Sequence, residues 1–228
     1  MSAQPNPGLA DQNKSAWDHL YASTPDLIWG REPIGFLPRL RPAACDLPPG
    51  PVLDAATGEG RNLSVLLGLG RPVTACDASA AALAKIPAGV RRQVTPLVCD
   101  LACVPLPAAS FALILLSDAL ETLPEPELIL AELRRLLVPG GCLLANVPAT
   151  DDGVAGVDMQ PGPEGGWLYQ GSYYYRFFTA AEAEALFLAT GLEIVRNDDC
   201  VWDEPPHPNF RDASHRHHGR VVLARRPR

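Results

Sequence analysis

The sequence contains no apolar run near the roughly 18 residues that a membrane-spanning helix needs. Its first stretch, MSAQPNPGLADQNK, also lacks the apolar core of a secretion signal. Positive charge is scarce as well, because 19 Lys and Arg face 26 Asp and Glu, which gives a net charge of −7. Nucleic-acid binding depends on clustered basic residues. We therefore expect a cytoplasmic protein with neither a nucleic-acid partner nor a membrane partner.

Cysteine pairs at metal-binding spacing are missing too. The six cysteines stand singly, at positions 45, 76, 99, 103, 142 and 200. The only close pair, Cys99 and Cys103, has no second pair to complete a metal site. Several cysteines lie in apolar runs, where cysteine behaves as a small hydrophobic residue. We expect buried free thiols and no metal cofactor.

From residue 51 onward, apolar segments alternate with helical patterns. The predicted strands are PVLDAA, PVTACDAS, VTPLVCD, FALILLSD, VPGGCLLANVP, LEIVRN and RVVLARRP. The predicted helices between them are RNLSVLLGLG, SAAALAKI, PEPELILAELRRLL and AAEAEALFLATG. Uniformly apolar strands that alternate with amphipathic helices predict an α/β fold, in which helices cover both faces of a mostly parallel sheet.

Three further segments lie outside this alternation. Residues 1–13 are polar and predict a flexible tail. Residues 14–50 contain a short helical pattern, SAWDHLYAS, followed by repeated Pro and Gly breaks, and we expect them to cover the site. Residues 148–178 have no periodic pattern and predict a lid-like insertion. We assign residues 14–228 to one domain, since the 228-residue chain shows no clear linker.

The first predicted strand ends in an acid beside a glycine turn, in the stretch VLDAATGEGRNL. A dinucleotide site would show G-x-G-x-x-G, but Gly58 and Gly60 are not followed by a third glycine in register. The carboxylate of Asp54 would also repel a pyrophosphate. A cationic cofactor without phosphate would be favoured instead, and S-adenosylmethionine carries both an ammonium and a sulfonium group.

The next two strands also end in aspartate. Asp77 follows Gly58 at close to the spacing of about 20 residues at which an acid accepts hydrogen bonds from ribose hydroxyls. Asp100 can accept from the adenine amino group, while the amide of Leu101 faces a ring nitrogen. An aspartate in this position also caps a following helix well, so it is the set of three that favours a cofactor site.

These motifs resemble class I S-adenosylmethionine-dependent methyltransferases over about residues 17–227. Within that group, LIWGREP followed by GEGRN is similar to the tellurite-resistance and thiopurine methyltransferase-like branch. The resemblance implies a Rossmann-like, seven-stranded sheet whose last strand, RVVLARRP, runs antiparallel to the rest. One departure is that Ala56 stands where the family commonly has the first glycine of its loop. The cofactor-binding residues we predict are Trp29, Arg31, Asp54, Ala56, Gly58, Gly60, Asn62, Asp77, Ala78, Asp100, Leu101 and Ser117.

The reaction itself needs little from the protein beyond positioning. Methyl transfer from a sulfonium is an in-line displacement, for which oriented reactants gain an effective molarity of about 10⁵ M or more. A thiolate or reduced metalloid acceptor needs no strong base, whereas an oxygen or amine acceptor does. Three residues are candidates for the acceptor side: Asp118 at a strand end, Tyr173 in the lid and His215 in a His-rich loop at 207–218. For His215, His217 and His218, a metal site and a solvated loop are alternative interpretations.

The sequence thus predicts an enzyme that transfers a methyl group from S-adenosylmethionine to a small molecule, with S-adenosylhomocysteine as the product. The acceptor is either a soft thiol- or metalloid-type anion or a small organic nucleophile, and the protein is a monomer or homodimer. A catalytically silent S-adenosylmethionine-binding protein and an NAD(P)-dependent oxidoreductase are the alternatives.

Overall fold

The computed structural model describes residues 7–38 and 46–228, so residues 1–6 of the predicted tail and 39–45 of the predicted cover lie outside the described residues. The helices are α1 (Pro7–Ser23), α2 (Leu63–Leu67), α3 (Ala80–Lys85), α4 (Ala88–Arg91), α5 (Pro126–Leu136) and α6 (Ala180–Ala189). The strands are β1 (Val52–Ala55), β2 (Val73–Asp77), β3 (Val94–Val98), β4 (Phe111–Leu116), β5 (Leu137–Pro148), β6 (Met159–Pro161), β7 (Trp167–Tyr169), β8 (Tyr173–Tyr175), β9 (Glu193–Glu204) and β10 (His215–Arg225).

Seven strands form the main sheet, in the order β3-β2-β1-β4-β5-β10-β9. Strands β1 to β5 pair in parallel. Strand β10 runs antiparallel to both of its neighbours, β5 and β9. Pro96, which has no amide hydrogen to donate, lies in the edge strand β3, where the ladder tolerates it. The predicted mostly parallel sheet with an antiparallel last strand is confirmed.

Helices cover both faces of this sheet, and β4 shows why its sequence is uniformly apolar. All six of its residues are buried. Ile114 and Leu116 pack into the core on the side of α5 and α6. Leu113 and Leu115 point to the other core, on the side of α2 and α3. A strand that is buried on both faces has no position left for a polar side chain.

The helix at the beginning of the chain is longer than the sequence predicts. We expected a flexible tail over residues 1–13, but residues 7–13 belong to α1. Asn13 explains the extension, since its side chain donates to the carbonyl of Thr122 (2.6 Å) and accepts from the amide of Tyr174 (3.0 Å). A single buried amide group therefore joins α1 to the turn after β4 and to β8.

The lid-like insertion contains a small sheet of its own. Strands β6, β7 and β8 pair antiparallel within it. Its aromatic residues contribute to a cluster that packs against α1, and we call this the cover cluster. Its buried members are Leu20, Tyr21, Ile28, Ala82, Tyr169, Tyr173 and Phe210.

The His-rich segment differs from the prediction. We expected a loop over residues 207–218, but β10 begins at His215. Residues Gly219–Arg225 of β10 pair with β5, whereas His215–His218 pair only with β9. The two strands therefore extend beyond the main sheet as a hairpin. Its polar sequence hides the strand, because His215–His218 are only partly buried and show no apolar alternation.

The cysteines and the helices bear on two further expectations. Cys76, Cys99 and Cys103 are free thiols, although Cys103 is exposed. Cys142 is disulfide-bonded, so the expectation of a free thiol is wrong there. Cys45 lies outside the described residues.

In residues 7–38 and 46–228, every helix is too short or too polar to cross a membrane.

Candidate active site

One cavity of about 290 Å³ opens at the carboxyl ends of β1, β2 and β4. The strand order reverses between β1 and β4, which is where open α/β sheets bind ligands. Helix α1, Trp29, Tyr175 and the β9–β10 hairpin complete its walls. The cavity thus joins the predicted cofactor loop to residues from the cover, the lid and the hairpin.

The loop after β1 is held from inside by two carboxylates. Asp54 is only 2% exposed and accepts a hydrogen bond from the hydroxyl of Thr57 (2.6 Å). Burial raises the pKa of Asp54 to about 7, partly offset by that bond. The amide of Gly58 donates to Asp77 (2.8 Å) and is therefore already engaged. Ala56 adopts the left-handed conformation, with φ of 53°.

Asp77 stands at the end of β2 and anchors the turn into α3. One carboxylate oxygen accepts from Gly58, and the other accepts from the amide of Ser79 (2.9 Å). Burial raises the pKa of Asp77, and the amides that donate to it lower it in part. The hydroxyl of Ser79 caps α3 at Ala82 and donates to Asp18 of α1 (2.6 Å). This acid therefore links the loop, α3 and, through Ser79, the cover.

Asp100 follows β3 and is the most exposed of the three strand-end aspartates. Its side chain is 55% exposed, and it lies 3.5 Å from the ammonium of Lys14. One of its oxygens accepts from the amide of Ala102 (2.9 Å). A half-exposed carboxylate with a distant cation keeps its capacity to accept from a ligand.

Two amide side chains shape the centre of the cavity. Asn62 accepts from the amide of Ile34 (3.0 Å) and donates to the hydroxyl of Ser117 (2.7 Å). Asn146 of β5 accepts from the amide of Asp118 and donates to its carboxylate (2.9 and 2.7 Å). Asp118 has φ of 48°, so this double contact fixes a left-handed residue at the end of β4.

The GEGRN stretch fastens the cover to the sheet. Glu59 accepts from the amides of Ile28 (2.8 Å) and Trp29 (3.2 Å), and it pairs with Lys85 (3.0 Å). Arg61 donates to both oxygens of Glu204 in β9, each at 3.1 Å. The two short strings LIWGREP and GEGRN are therefore in direct contact.

The hairpin contributes a wall of imidazoles. The rings of His207 and His215 lie 5.1 Å apart, and those of His215 and His217 lie 4.8 Å apart. Burial lowers the pKa values of His207 and His215 to about 4, so both rings are neutral at pH 7. Burial alone would lower the pKa of His217 as well, but the Asp152 carboxylate at 3.0 Å raises it on balance.

Most of the predicted site residues meet in this cavity. Eleven of them line it: Trp29, Ala56, Gly58, Asn62, Asp77, Ala78, Asp100, Leu101, Ser117, Asp118 and His215. Four do not: Arg31, Asp54, Gly60 and Tyr173.

Each of these four has a different environment. Arg31 is exposed. Asp54 lies behind the loop, against Thr57. Gly60 turns the chain at φ of 81°, and a Cβ there would come 2.7 Å from the side chain of Leu63. Tyr173 is buried in the cover cluster, with its ring 4.8 Å from that of Trp17.

Several residues of the cavity wall escaped the sequence prediction. Glu121 lies in a short 3₁₀ turn after β4, Tyr175 ends β8, and His207 lies in the loop between β9 and β10. Alternation along a strand groups Tyr175 with Tyr173, but only the fold shows which of the two reaches the cavity. Nothing in the sequence stretch ALETLP distinguishes Glu121 as a residue that lines a cavity.

A metal site was one interpretation of the histidines. Within the part of the chain that the structure describes, no group of three or more His, Cys, Asp or Glu side chains could hold a metal ion. The ring nitrogens of His217 and His218 contact carboxylates instead, since His217 contacts Asp152 while His218 contacts Asp151 and Asp199.

Comparisons with known proteins bear on the fold. Residues 53–145, from β1 to β5, match the family model of a methyltransferase domain. The predicted class I methyltransferase fold is confirmed. None of the curated proteins compared with the sequence matches it.

Solved structures share the fold of this chain. One, from work on the conversion of a disulfide bond into a thioacetal group during echinomycin biosynthesis, has a TM-score of 0.73 and 21% identity, covering 94% of this chain and 93% of that one. The 1,6-didemethyltoxoflavin-N1-methyltransferase of Burkholderia thailandensis, solved with 1,6-didemethyltoxoflavin and S-adenosylhomocysteine, has a TM-score of 0.69 and 24% identity, covering 100% and 93%. The [4+2]-cyclase SpnF has a TM-score of 0.60 and 16% identity, covering 100% and 98%. At these identities the likeness concerns the fold, and the reaction has to be argued from the site.

Proposed function

We propose that the protein transfers the methyl group of S-adenosylmethionine to a small organic acceptor inside the cavity. The supporting observation is that a single cavity joins the strand-end carboxylates Asp77 and Asp100 to a wall of aromatic rings and neutral imidazoles. Helix α1 and the hairpin border it, which favours a small acceptor over a macromolecule. The net charge of −7 also disfavours nucleic acid.

The residues at the strand ends fit this cofactor. S-adenosylmethionine, when bound, supplies a methyl group on a sulfonium and leaves as S-adenosylhomocysteine. In the proposal, Asp77 accepts from the ribose hydroxyls, and Asp100 with the amide of Leu101 holds the adenine. Ser117 and Asp118 face the ammonium group, with Trp29 beside the sulfonium. Asp54 acts indirectly, by holding the loop through Thr57.

The chain's own contribution to the reaction is positioning, exclusion of water and acceptance of a proton. Asn13 and Glu59 hold the cover in place over the cavity. If the acceptor loses a proton as its new bond to the methyl carbon forms, a neutral imidazole can take that proton. His215 and His207 line the cavity in that form. A thiolate or metalloid acceptor would not use them.

The branch, the compartment and the assembly also belong to the proposal. The contact of Glu59 with the backbone of Ile28 and Trp29 supports the resemblance to the tellurite-resistance and thiopurine methyltransferase-like branch, because it joins the two strings that carry it. We further propose a cytoplasmic monomer or homodimer without a metal.

The alternatives predict different ligands. The amide of Gly58, which a pyrophosphate would need, already donates to Asp77, and this disfavours an NAD(P)-dependent oxidoreductase. A catalytically silent binder would hold S-adenosylmethionine without turnover on thiol, metalloid, phenol or amine acceptors.

The ribose assignment is tested by titrating S-adenosylhomocysteine into Asp77→Ala. Loss of hydrogen bonds to a charged group costs about 1.5–3 kcal/mol each, so we expect Kd to rise at least tenfold. Asp203→Ala is the matched control, because that carboxylate is 71% exposed and does not line the cavity. Unchanged binding by Asp77→Ala would contradict the placement of the ribose.

A further inference from the structure

One carboxyl group in the cavity wall has no role in the proposed methyl transfer. Glu121 is 5% exposed and lines the cavity, yet its Oε2 atom has no hydrogen-bond partner within the described part of the chain. A buried polar atom without a partner is costly and rare in folded proteins. An exchange of Glu121 for an apolar residue of similar size would therefore stabilise the empty protein, which points to a ligand as the reason for this acid.

The backbone around Glu121 is held on both sides. Its carbonyl accepts from the amide of Arg176 (2.8 Å), just after β8. The carbonyl of the next residue, Thr122, accepts from the side chain of Asn13 (2.6 Å). Lid and cover thus fix the turn that carries the acid, which is what a specific contact with a ligand requires.

The charges around Glu121 determine which kind of ligand group its carboxyl can bind. Burial raises its pKa well above the usual range, and the Asp118 and Asp152 carboxylates raise it further. The Asp118 carboxylate borders the same cavity and would repel an anionic acceptor. A neutral N–H or O–H group, in contrast, would give the Glu121 carboxyl the partner that it lacks.

The rest of the wall suits a flat, apolar body. Phe210 lies 5.3 Å from both Trp17 and Trp29, measured between ring centroids. Trp29 also lies 4.8 Å from His207. All four rings border the cavity, and aromatic faces and edges of this kind pack well against a planar ring.

We infer that Glu121 selects the methyl acceptor, and that the acceptor is a planar ring compound that presents an N–H or O–H group to this carboxyl. The inference rests on the proposed function and narrows it, because it removes thiolate and metalloid anions from the acceptor classes.

Three probes with one ring system test the inference: 2-naphthol, 2-naphthylamine and 2-naphthalenethiol, with naphthalene as the reference. Each is titrated into the protein saturated with S-adenosylhomocysteine, so that the readout does not depend on turnover. We expect the naphthol and the naphthylamine to bind about tenfold tighter than the thiol and naphthalene.

Two variants identify the group responsible. Glu121→Leu should bind all four compounds equally, whereas Glu121→Gln, whose side-chain carbonyl still accepts a hydrogen bond, should keep most of the preference. Both should bind S-adenosylhomocysteine within about twofold of the wild type, and Glu121→Leu should melt at the same or a higher temperature.

The outcomes separate the inference from the proposed function. A preference that survives in Glu121→Leu overturns the inference, as does failure of the naphthol and naphthylamine to bind the wild type. Loss of S-adenosylhomocysteine binding in Glu121→Leu also overturns it, because the acid would then belong to the cofactor site. A wild type that does not bind S-adenosylhomocysteine refutes the proposed function instead.

Discussion

Replacing Ala56 with glycine should stabilise the protein and tighten cofactor binding. Ala56 has φ of 53°, a left-handed conformation that costs a residue with a Cβ about 1–2 kcal/mol. Glycine avoids this cost but loses about 0.5–1 kcal/mol more conformational entropy on folding. The difference predicts a net gain of about 0.5–1 kcal/mol in the free energy of unfolding for Ala56→Gly.

The binding effect follows from the position of Ala56 in the cavity wall. Its methyl group lies in the loop along which the cofactor is proposed to pass, and its removal gives the ligand more room. We expect the Kd for S-adenosylhomocysteine to fall about two- to fivefold, which corresponds to about 0.4–1 kcal/mol. Urea unfolding and isothermal titration measure the two effects separately.

Ala109→Gly is the matched control. Ala109 has nearly the same φ, 54°, but is exposed and does not line the cavity. It should show the same gain in stability with no change in binding. If Ala56→Gly destabilised the protein or weakened binding while Ala109→Gly behaved as predicted, the methyl group of Ala56 would be a packing contact and the reasoning would be refuted.

Three further perturbations test the local structure. Burial raises the pKa of Asp54 from 3.8 to about 7, so the stability that this group contributes is fully present below about pH 4 and is lost as the pH rises through 7. Asp54→Asn should remove this fall in the free energy of unfolding. An unchanged pH dependence in urea unfolding would contradict the prediction. His217 has a raised pKa beside Asp152, so its contribution to stability is complete below about pH 6.5 and is lost as the pH rises through its pKa in the folded protein. Amide exchange in residues 148–178, corrected for intrinsic rates, should therefore be slower at pH 6 than at pH 8. Asp152→Asn should abolish this difference. Glu59→Gln should lower the free energy of unfolding by about 1–3 kcal/mol, because its partner Lys85 is mostly buried. Lys14→Met, which breaks an exposed ion pair, should lower it by less than about 1 kcal/mol. Equal losses would argue against a stabilising role for the Glu59–Lys85 pair.

The strand-end aspartates of the cavity were predictable from the sequence because of how parallel sheets are built. Strands buried on both faces appear as apolar runs, and the first polar residue after each run marks the edge where ligands bind. Asp77 and Asp100 follow directly from this pattern, and the structure brings both to the cavity. Asp54 follows the same pattern, but its position is turned inward, against Thr57, which the sequence does not reveal.

The opposite wall of the cavity was predictable only in part, because it depends on contacts between distant segments. Tyr173 and Tyr175 have the same residue type and the same strand face, and the packing of Tyr173 against Trp17 leaves Tyr175 to line the cavity. His215 was assigned to a loop because its strand extends beyond the core and lacks an apolar alternation. Glu121 lies in a turn whose place is set by α1 and β8, and no local pattern encodes those contacts.

The central claim is that this cavity binds a cationic adenosyl cofactor and no dinucleotide. Isothermal titration of the wild-type protein with S-adenosylmethionine and, separately, with NAD tests it most directly. We expect saturable binding of S-adenosylmethionine at one site per chain and no binding of NAD. Binding of NAD without binding of S-adenosylmethionine would contradict it.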